Sequence, residues 1–384
     1  MHNRSFCNAA ALLILLTLGL TACHQRQAVD PGYHEYAYVT NGKSNSVSVL
    51  DLLQLKNVKT IAVGAAPTGI AANPKRNEIY AVNTDSNQVS VIDAERNVLV
   101  GTIGVHSTPY LISVSSDGKR AYVANSGSAN VSVLDLDGRA SIATIRVGGA
   151  PGLAKVSPDG KLVVVSNRAD NSVSIIDTDK LAVRSTVAVC QQPQDLIILP
   201  DNSKAFVACP GSNQLAAIEL KSDRLLSLLD VGKLPIQLAL KPDGGELFVS
   251  NFDADSLSIV ETGNNEVGGT YLIGKNPVRG IVTSDNTLLY VSNFGSDTIS
   301  VYAIDEGRVI GTVQVGSHPD ALALTPDESH LLVVDSRSGD VAVVRTVKTR
   351  DNSKISADRA LVTLIPVGAQ PNDIVIKAFR TGAK

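Results

Sequence analysis

The chain has 384 residues, a net charge of −3 and a pI near 6.1. Its mildly acidic balance, without a basic run, argues against nucleic acid as a partner, because neutralising phosphates requires clustered Lys and Arg. Tryptophan is absent and aromatic residues make up 4% of the sequence, so extensive stacking surfaces for bases or sugars are not expected.

The first 22 residues have the pattern of an export signal. Arg4 gives a positively charged start, and the apolar run over residues 9–20 is too short for a good membrane-spanning helix. Leu20-Thr21-Ala22-Cys23 resembles the bacterial lipobox, in which the cysteine receives a diacylglyceryl group and becomes the new N-terminus. We therefore expect residues 1–22 to be removed, Cys23 to be lipidated and residues 23–33 to form a tether. An ordinary signal peptide cut elsewhere is the alternative.

The residue after the cysteine bears on the choice of membrane. In the enterobacterial pattern an aspartate there implies the inner membrane, whereas this chain has His24. The resemblance thus implies an exported protein, held by its lipid at the outer membrane rather than the inner one and facing the periplasm or the cell surface. We expect it to be a monomer.

The rest of the chain repeats one pattern every 42 residues. Each repeat contains four short runs in which apolar and small polar residues alternate, the pattern of β-strands, and no helical period appears after residue 30. An asparagine ends the first run of most repeats, and two other residues take its position: Asn41, Asn83, Asn125, Asn167, Cys209, Asn251, Asn293 and Asp335. A fixed period of this size predicts an all-β protein of four-stranded sheets repeated around an axis.

The repeated Tyr-Val-x-Asn, Val-Ser-Val-Ile-Asp and Val-Gly-x-x-Pro-x-x-Ile-Ala segments resemble the YVTN β-propeller repeat family over about residues 33–380. That family implies that the strand starting at Pro is the innermost of each blade. Residues 38–63 lack an inner strand, and Pro371–Ile376 supply one that nothing follows. We therefore predict a single domain over residues 34–380, with eight antiparallel four-stranded blades and a ring closed by both terminal strands. Seven blades, as in many family members, is the alternative.

Two cysteines break the repeat in the same blade. A glycine precedes the inner strand in six repeats, but His106 and Cys190 take its position in the other two. Cys209 takes the asparagine position of the repeat that contains Cys190. Since export permits disulfides, we predict a bond that closes a loop of 19 residues. Two separately buried thiols are the alternative.

Polar and aromatic departures from the repeat collect on one part of the rim, which we define as the loops after the asparagine positions and the starts of the inner strands. We select nine of them as candidates for ligand or partner binding: Arg168, Asp195, Gln237, Phe252, Arg279, Phe294, His318, Asp320 and Asp373. Two exposed Phe on neighbouring blades would mark a partner surface, and Arg with carboxylates would recognise a charged group. Alternatively, the polar residues line a hydrated channel mouth and the Phe cover neighbouring loops.

Catalytic motifs are missing from the sequence. It has no zinc-type His-x-x-x-His or Cys-x-x-Cys spacing, no Gly-x-Ser-x-Gly and no phosphate-binding glycine loop. We predict no catalytic or metal-ligating residue, and the cofactor stays unknown. His106 and His318 could bind a ligand, although each is more typical of a lone rim histidine.

Two kinds of function remain open. The first is a lipid-anchored propeller that binds or scaffolds a protein or other ligand on its rim without catalysis. The second is a periplasmic enzyme or cofactor protein with its site at the channel mouth. Seven-bladed lactonases, which have related repeats, and the haem-carrying eight-bladed propellers of nitrite reductases motivate the second function. No cluster of His, Glu and Arg repeats the lactonase site.

Overall fold

The computed structural model describes residues 32–346 and 360–382. Over these residues the chain forms eight four-stranded antiparallel sheets closed into a ring, which confirms the predicted propeller and its eight blades. We number the blades 1–8 along the chain, with the blade shared by both termini as blade 1. The lipobox and Cys23 lie outside the described residues. Within the described part, no helix is long and apolar enough to cross a membrane.

Every blade has the same strand order from the channel outwards. The innermost strands of blades 2–8 and then blade 1 are β4 (Pro67–Ala72), β8 (Pro109–Val114), β12 (Pro151–Val156), β16 (Leu196–Ile198), β20 (Pro235–Leu240), β24 (Pro277–Val282), β28 (Pro319–Leu324) and β32 (Pro371–Arg380). The second strands of blades 1–8 are β1 (Tyr33–Asn41), β5 (Glu78–Asn83), β9 (Arg120–Asn125), β13 (Leu162–Asn167), β17 (Lys204–Cys209), β21 (Glu246–Asn251), β25 (Leu288–Asn293) and β29 (His330–Asp335).

The third and outermost strands complete each sheet. The third strands of blades 1–8 are β2 (Ser46–Asp51), β6 (Gln88–Asp93), β10 (Asn130–Asp135), β14 (Ser172–Asp177), β18 (Gln214–Glu219), β22 (Ser256–Glu261), β26 (Thr298–Ala303) and β30 (Asp340–Arg345). The outermost are β3 (Lys56–Ala62), β7 (Val98–Gly104), β11 (Ala140–Arg146), β15 (Ala182–Ala188), β19 (Arg224–Asp230), β23 (Glu266–Leu272), β27 (Arg308–Gln314) and β31 (Leu361–Pro366). A 3-10 turn, Phe252–Ala254, follows β21.

The two ends of the chain close the ring in blade 1. β1 pairs with β32 in antiparallel register, from Tyr33 opposite Arg380 to Asn41 opposite Pro371. The predicted joining of the terminal strands is therefore confirmed. Closure lets every sheet pack between two neighbours.

The core lies between neighbouring blades. In one buried cluster, Val47 and Val49 of blade 1 pack with Ile79 and Ala81 of blade 2, and each of the four is fully buried. Burying an Ile or Val side chain contributes roughly 1.5–3 kcal/mol. Equivalent clusters recur around the ring, so the alternating Val and Ile of the repeat are explained by contacts across blades.

A contact between glycine and asparagine explains two of the repeated polar positions. A Cβ at Gly148 would lie 2.7 Å from the Cβ and Cγ of Asn167, so only glycine fits there. The Asn167 amide donates hydrogen bonds to Ser172 and Ser174, at 3.0 and 2.9 Å. Ser174 is buried in the middle of a strand. Its hydroxyl is kept there because it satisfies a buried amide.

Blade 5 replaces this contact with a disulfide. Cys190 and Cys209 are bonded, with an S–S distance of 2.09 Å and Cα atoms 5.7 Å apart. The predicted bond is confirmed and the alternative of two free thiols is wrong.

The residue before the proline that leads into each inner strand adopts a left-handed conformation. Its φ lies near +50° in every blade, at Ala66, Thr108, Ala150, Gln192, Leu234, Asn276, His318 and Gln370. Hydrogen bonds from the preceding blade hold this conformation: Asp297 accepts from the His318 N–H at 2.8 Å, and Asp255 accepts from that of Asn276 at 2.8 Å. These bonds fix where each inner strand begins, and therefore where its first side chains point.

Candidate ligand-binding site at the channel mouth

The starts of the inner strands surround a cavity of about 480 Å³ at one mouth of the central channel. A cavity of this size is typical of sites for small molecules. Its polar lining comes from positions that vary between repeats and includes Tyr110, Arg168, Asp195, Gln237, Arg279 and Asp320. The structure thus brings five of the nine sequence candidates to one cavity.

Arg279 is the electrostatic centre of the cavity. Its Nε lies 3.4 Å from Oδ1 of Asp320, and about a third of each side chain is exposed to the channel. Burial acts against the charged guanidinium, but Asp373, Asp320 and Asp195 together outweigh it and raise the pKa of Arg279. Arg279 therefore stays charged. Three carboxylates act on this one guanidinium, which leaves an excess of negative charge on its side of the mouth.

Asp195, Gln237 and Asp373 also connect neighbouring blades. Each side-chain oxygen accepts a hydrogen bond from a backbone N–H on the inner strand of the next blade. The distances are 2.9 Å from Leu238 to Asp195 and 3.3 Å from Ile70 to Asp373. For Gln237 the donor is the Gly280 N–H, at 2.9 Å. The departure of these three residues from the repeat is therefore explained in part by the hydrogen bonds that they form between blades.

Burial changes the protonation of the two linking aspartates. It raises the pKa of Asp195, against the opposing effects of the Leu238 N–H and the charge of Arg279. Burial likewise raises the pKa of Asp373, again opposed by Arg279. These two carboxylates are thus easier to protonate than exposed ones.

Tyr110 is a lining residue that the sequence analysis missed. It lies on β8, its side chain is 51% exposed, and it also borders a neighbouring groove with Lys43 and Asn372. Desolvation of its hydroxyl within the channel mouth raises its pKa, and the charges of Arg279, Asp320, Asp373 and Arg168 also act on that hydroxyl. Tyr110 was not selected because it lies in blade 3, outside the blades where the departures from the repeat collect. Its being the only aromatic residue at the position after the inner-strand Pro was the available signal.

Three of the candidates form an aromatic stack away from the cavity lining. The rings of Phe252 and Phe294 are 6.3 Å apart, and Phe294 stacks on His318 at 4.3 Å and 21°. All three side chains are partly buried, so the Phe pair is not the freely exposed surface that the sequence suggested. The stack links blades 6, 7 and 8 at the rim.

His106 lies on the rim apart from the cavity as well. It is exposed, and its Nε2 lies 2.9 Å from Oγ1 of Thr144. Among residues 32–346 and 360–382, no three His, Cys, Asp or Glu side chains are arranged to hold a metal ion.

Comparisons with known families find two matching models. One, described as YNCE-like beta-propeller, matches residues 44–243, just over half of the chain. The other, described as a lactonase with a 7-bladed beta-propeller, matches residues 274–360. A comparison with curated proteins gave no match.

Solved structures with the same fold include enzymes and a protein of unknown function. Dihydro-heme d1 dehydrogenase NirN in complex with DHE gives a TM-score of 0.75 at 15% identity, covering 88% of this chain and 74% of NirN. Kuenenia stuttgartiensis hydrazine synthase gives 0.60 at 22% identity, covering 73% and 96%. A functionally unknown protein from Desulfotomaculum acetoxidans DSM 771 gives 0.61 at 16% identity, covering 78% and 98%. At these identities the likeness is one of fold.

Proposed function

This chain belongs to the YNCE-like β-propeller family, and we propose that it is an exported, lipid-anchored propeller that binds a small polar ligand at its channel mouth without transforming it. One observation carries the proposal: the charged residues that depart from the repeat converge on a single cavity, with Arg279 among three carboxylates. A rigid ring that presents variable side chains from fixed strand ends is suited to recognition.

The proposed location depends on the N-terminal sequence. The lipobox-like Leu20-Thr21-Ala22-Cys23 supports cleavage before Cys23 and lipidation of its thiol. The disulfide of blade 5 is consistent with an oxidising compartment outside the cytoplasm. We place the protein at the outer membrane rather than the inner one, as a monomer.

The second candidate function is an enzyme or a cofactor carrier. The lactonase match over residues 274–360 and the fold shared with NirN favour it. The cavity lining, however, offers Tyr, Arg, amide and carboxylate groups, whereas His106 and His318 both lie elsewhere on the rim. This set of donors does not fit an iron that needs a histidine ligand, and we derive no step through a haem.

Native mass spectrometry of protein extracted from its own membranes tests the proposal. The wild-type protein should carry an additional small mass that the Arg279→Gln/Asp320→Asn variant lacks while keeping its circular dichroism spectrum. The matched control, Phe252→Ala/Phe294→Ala, changes the rim outside the cavity and should keep the ligand. A wild-type protein without bound mass, together with a protein partner lost only in the Phe variant, would support scaffolding instead.

A further inference from the structure

Arg168, unlike Arg279, has no counterion among the residues that the structure describes. We infer that Arg168 recognises the carboxylate of an organic anion with an apolar body, bound in the channel-mouth cavity. This inference rests on the proposed function and names the chemical class of the ligand.

The position of Arg168 depends on a glycine beneath it. Arg168 follows the asparagine position of blade 4, and its side chain lies over Gly152 at the start of β12. A Cβ at position 152 would be 3.4 Å from the Cδ of Arg168 and 3.3 Å from the Oγ of Ser166. Because residue 152 has no side chain, the stem of Arg168 can lie flat and its guanidinium lines the cavity.

The guanidinium of Arg168 is available to a ligand. In the described part of the chain no carboxylate lies within ion-pair distance of it, whereas Arg279 is paired with Asp320. Tyr110 and Gln194 line the same cavity, and no hydrogen bond occupies either side-chain polar group among the described residues. A guanidinium and a hydroxyl are together suited to a carboxylate, which accepts from Arg in a bidentate manner.

Charge and shape narrow the class of anion. Three carboxylates act on Arg279, those of Asp195, Asp320 and Asp373. Because Arg168 is the one cavity arginine without an ion pair among the described residues, a dianionic phosphate would be repelled more strongly than a singly charged carboxylate. Leu111 and Leu153 also line the cavity and offer apolar surface to the rest of the ligand. A monocarboxylate with a short hydrocarbon chain satisfies both conditions.

Sodium hexanoate is a direct probe of the site. Hexanol and hexyl phosphate, which have the same chain length, are the comparison ligands. Titrations of the mature protein, monitored by NMR signals of the ligand, should show that hexanoate binds at least about tenfold more tightly than hexanol or hexyl phosphate. Arg168→Gln should weaken hexanoate by about tenfold or more, the effect of losing a hydrogen bond to a charged group. Gly152→Val should weaken it as well, because the new side chain displaces the Arg168 stem.

Arg337→Gln is the matched control, since Arg337 is an exposed rim arginine of blade 8 that does not line the cavity. It should bind hexanoate like the wild type. Equal affinity of Arg168→Gln and the wild type for hexanoate would overturn the inference, as would equal affinity for hexanol and hexanoate or no binding of hexanoate to the wild type. In those cases a ligand mass found on the native protein would still uphold the proposed function.

Discussion

Cys190 and Cys209 are bonded at the two positions where five other blades set a glycine against an asparagine. The replacement of glycine and asparagine by cysteines in blade 5 is accompanied by a change at a third position. Where the asparagine is present, a serine lies seven residues later, and in blades 2, 4 and 6 the two share a hydrogen bond of 2.9 Å. Blade 5 has Ala216 there, and blade 8, which has Asp335 for the asparagine, has Ala342. The buried hydroxyl is therefore present only where an amide needs it.

Reducing the disulfide should lower the free energy of unfolding by about 3 kcal/mol, the entropy of closing a loop of this length. Denaturant unfolding with and without a reductant measures this. The double variant Cys190→Gly/Cys209→Asn should be insensitive to reductant. Adding Ala216→Ser should recover about 1 kcal/mol by giving the new amide its partner. A triple variant no more stable than the double variant would contradict this account of the repeat.

Gly274→Ala should destabilise the protein by about 1–3 kcal/mol, since the added methyl group overpacks the interior. A Cβ there would lie 2.2 Å from the Cγ of Asn293, which its own hydrogen bonds to Thr298 and Ser300 hold in place. Gly104→Ala is the matched control, because no atom lies within 4 Å of its Cβ position. Thermal unfolding of the two variants should separate them, and equal melting temperatures would count against the contact.

The buried Asp335 lies opposite the half-buried Asp340 in blade 8. Burial, followed by the hydrogen bond and charge of Asp340, raises the pKa of Asp335 to about 9. Its Oδ2 accepts the N–H of Gly316 at 3.1 Å. The proton stays on Asp335 in the folded protein at neutral pH, whereas an unfolded aspartate loses it near pH 3.9.

This pair should make the free energy of unfolding fall as the pH rises. The contribution of protonated Asp335 to that free energy is complete below about pH 4. It declines up to about pH 9, because over that interval the folded state binds a proton that the unfolded state has released. Asp335→Asn removes this dependence. The free energy of unfolding of the variant should therefore exceed that of the wild type by an amount that grows from pH 5 to pH 9 and reaches about 1 kcal/mol or more at pH 8. Melting temperatures across that range measure the gain. A gain that is constant with pH would refute the raised pKa.

Replacing Cys23 by alanine should release the protein from the membrane fraction, because the acyl chains of the proposed anchor would be lost. Detergent phase partitioning and incorporation of labelled fatty acid measure this directly. Cys7→Ala is the control, since Cys7 lies in the segment expected to be removed. A Cys23→Ala protein that still takes up labelled fatty acid would exclude this site.

The repeat made the fold predictable, because eight copies of one pattern show which positions pack and which vary. Pro371 without a following repeat was enough to indicate closure, and two cysteines in paired positions were enough to indicate a disulfide. The candidate site was harder to predict from the sequence. Tyr110 occupies a position with no common residue type, and the bond from Asp195 to the next blade depends on how neighbouring blades are rotated, which spacing along the chain does not encode.

The direction of β1 determines how the propeller would meet a bilayer. This strand starts at Tyr33, beside the end of β32, and finishes at Asn41, on the side where the cavity opens. Nine residues at about 3.3 Å each carry the chain through the thickness of the disc. A lipid attached upstream of Tyr33 would therefore tether the propeller by the face opposite the cavity mouth. With the proposed lipid at Cys23, the open side would point into the aqueous compartment, from which solutes could enter the cavity.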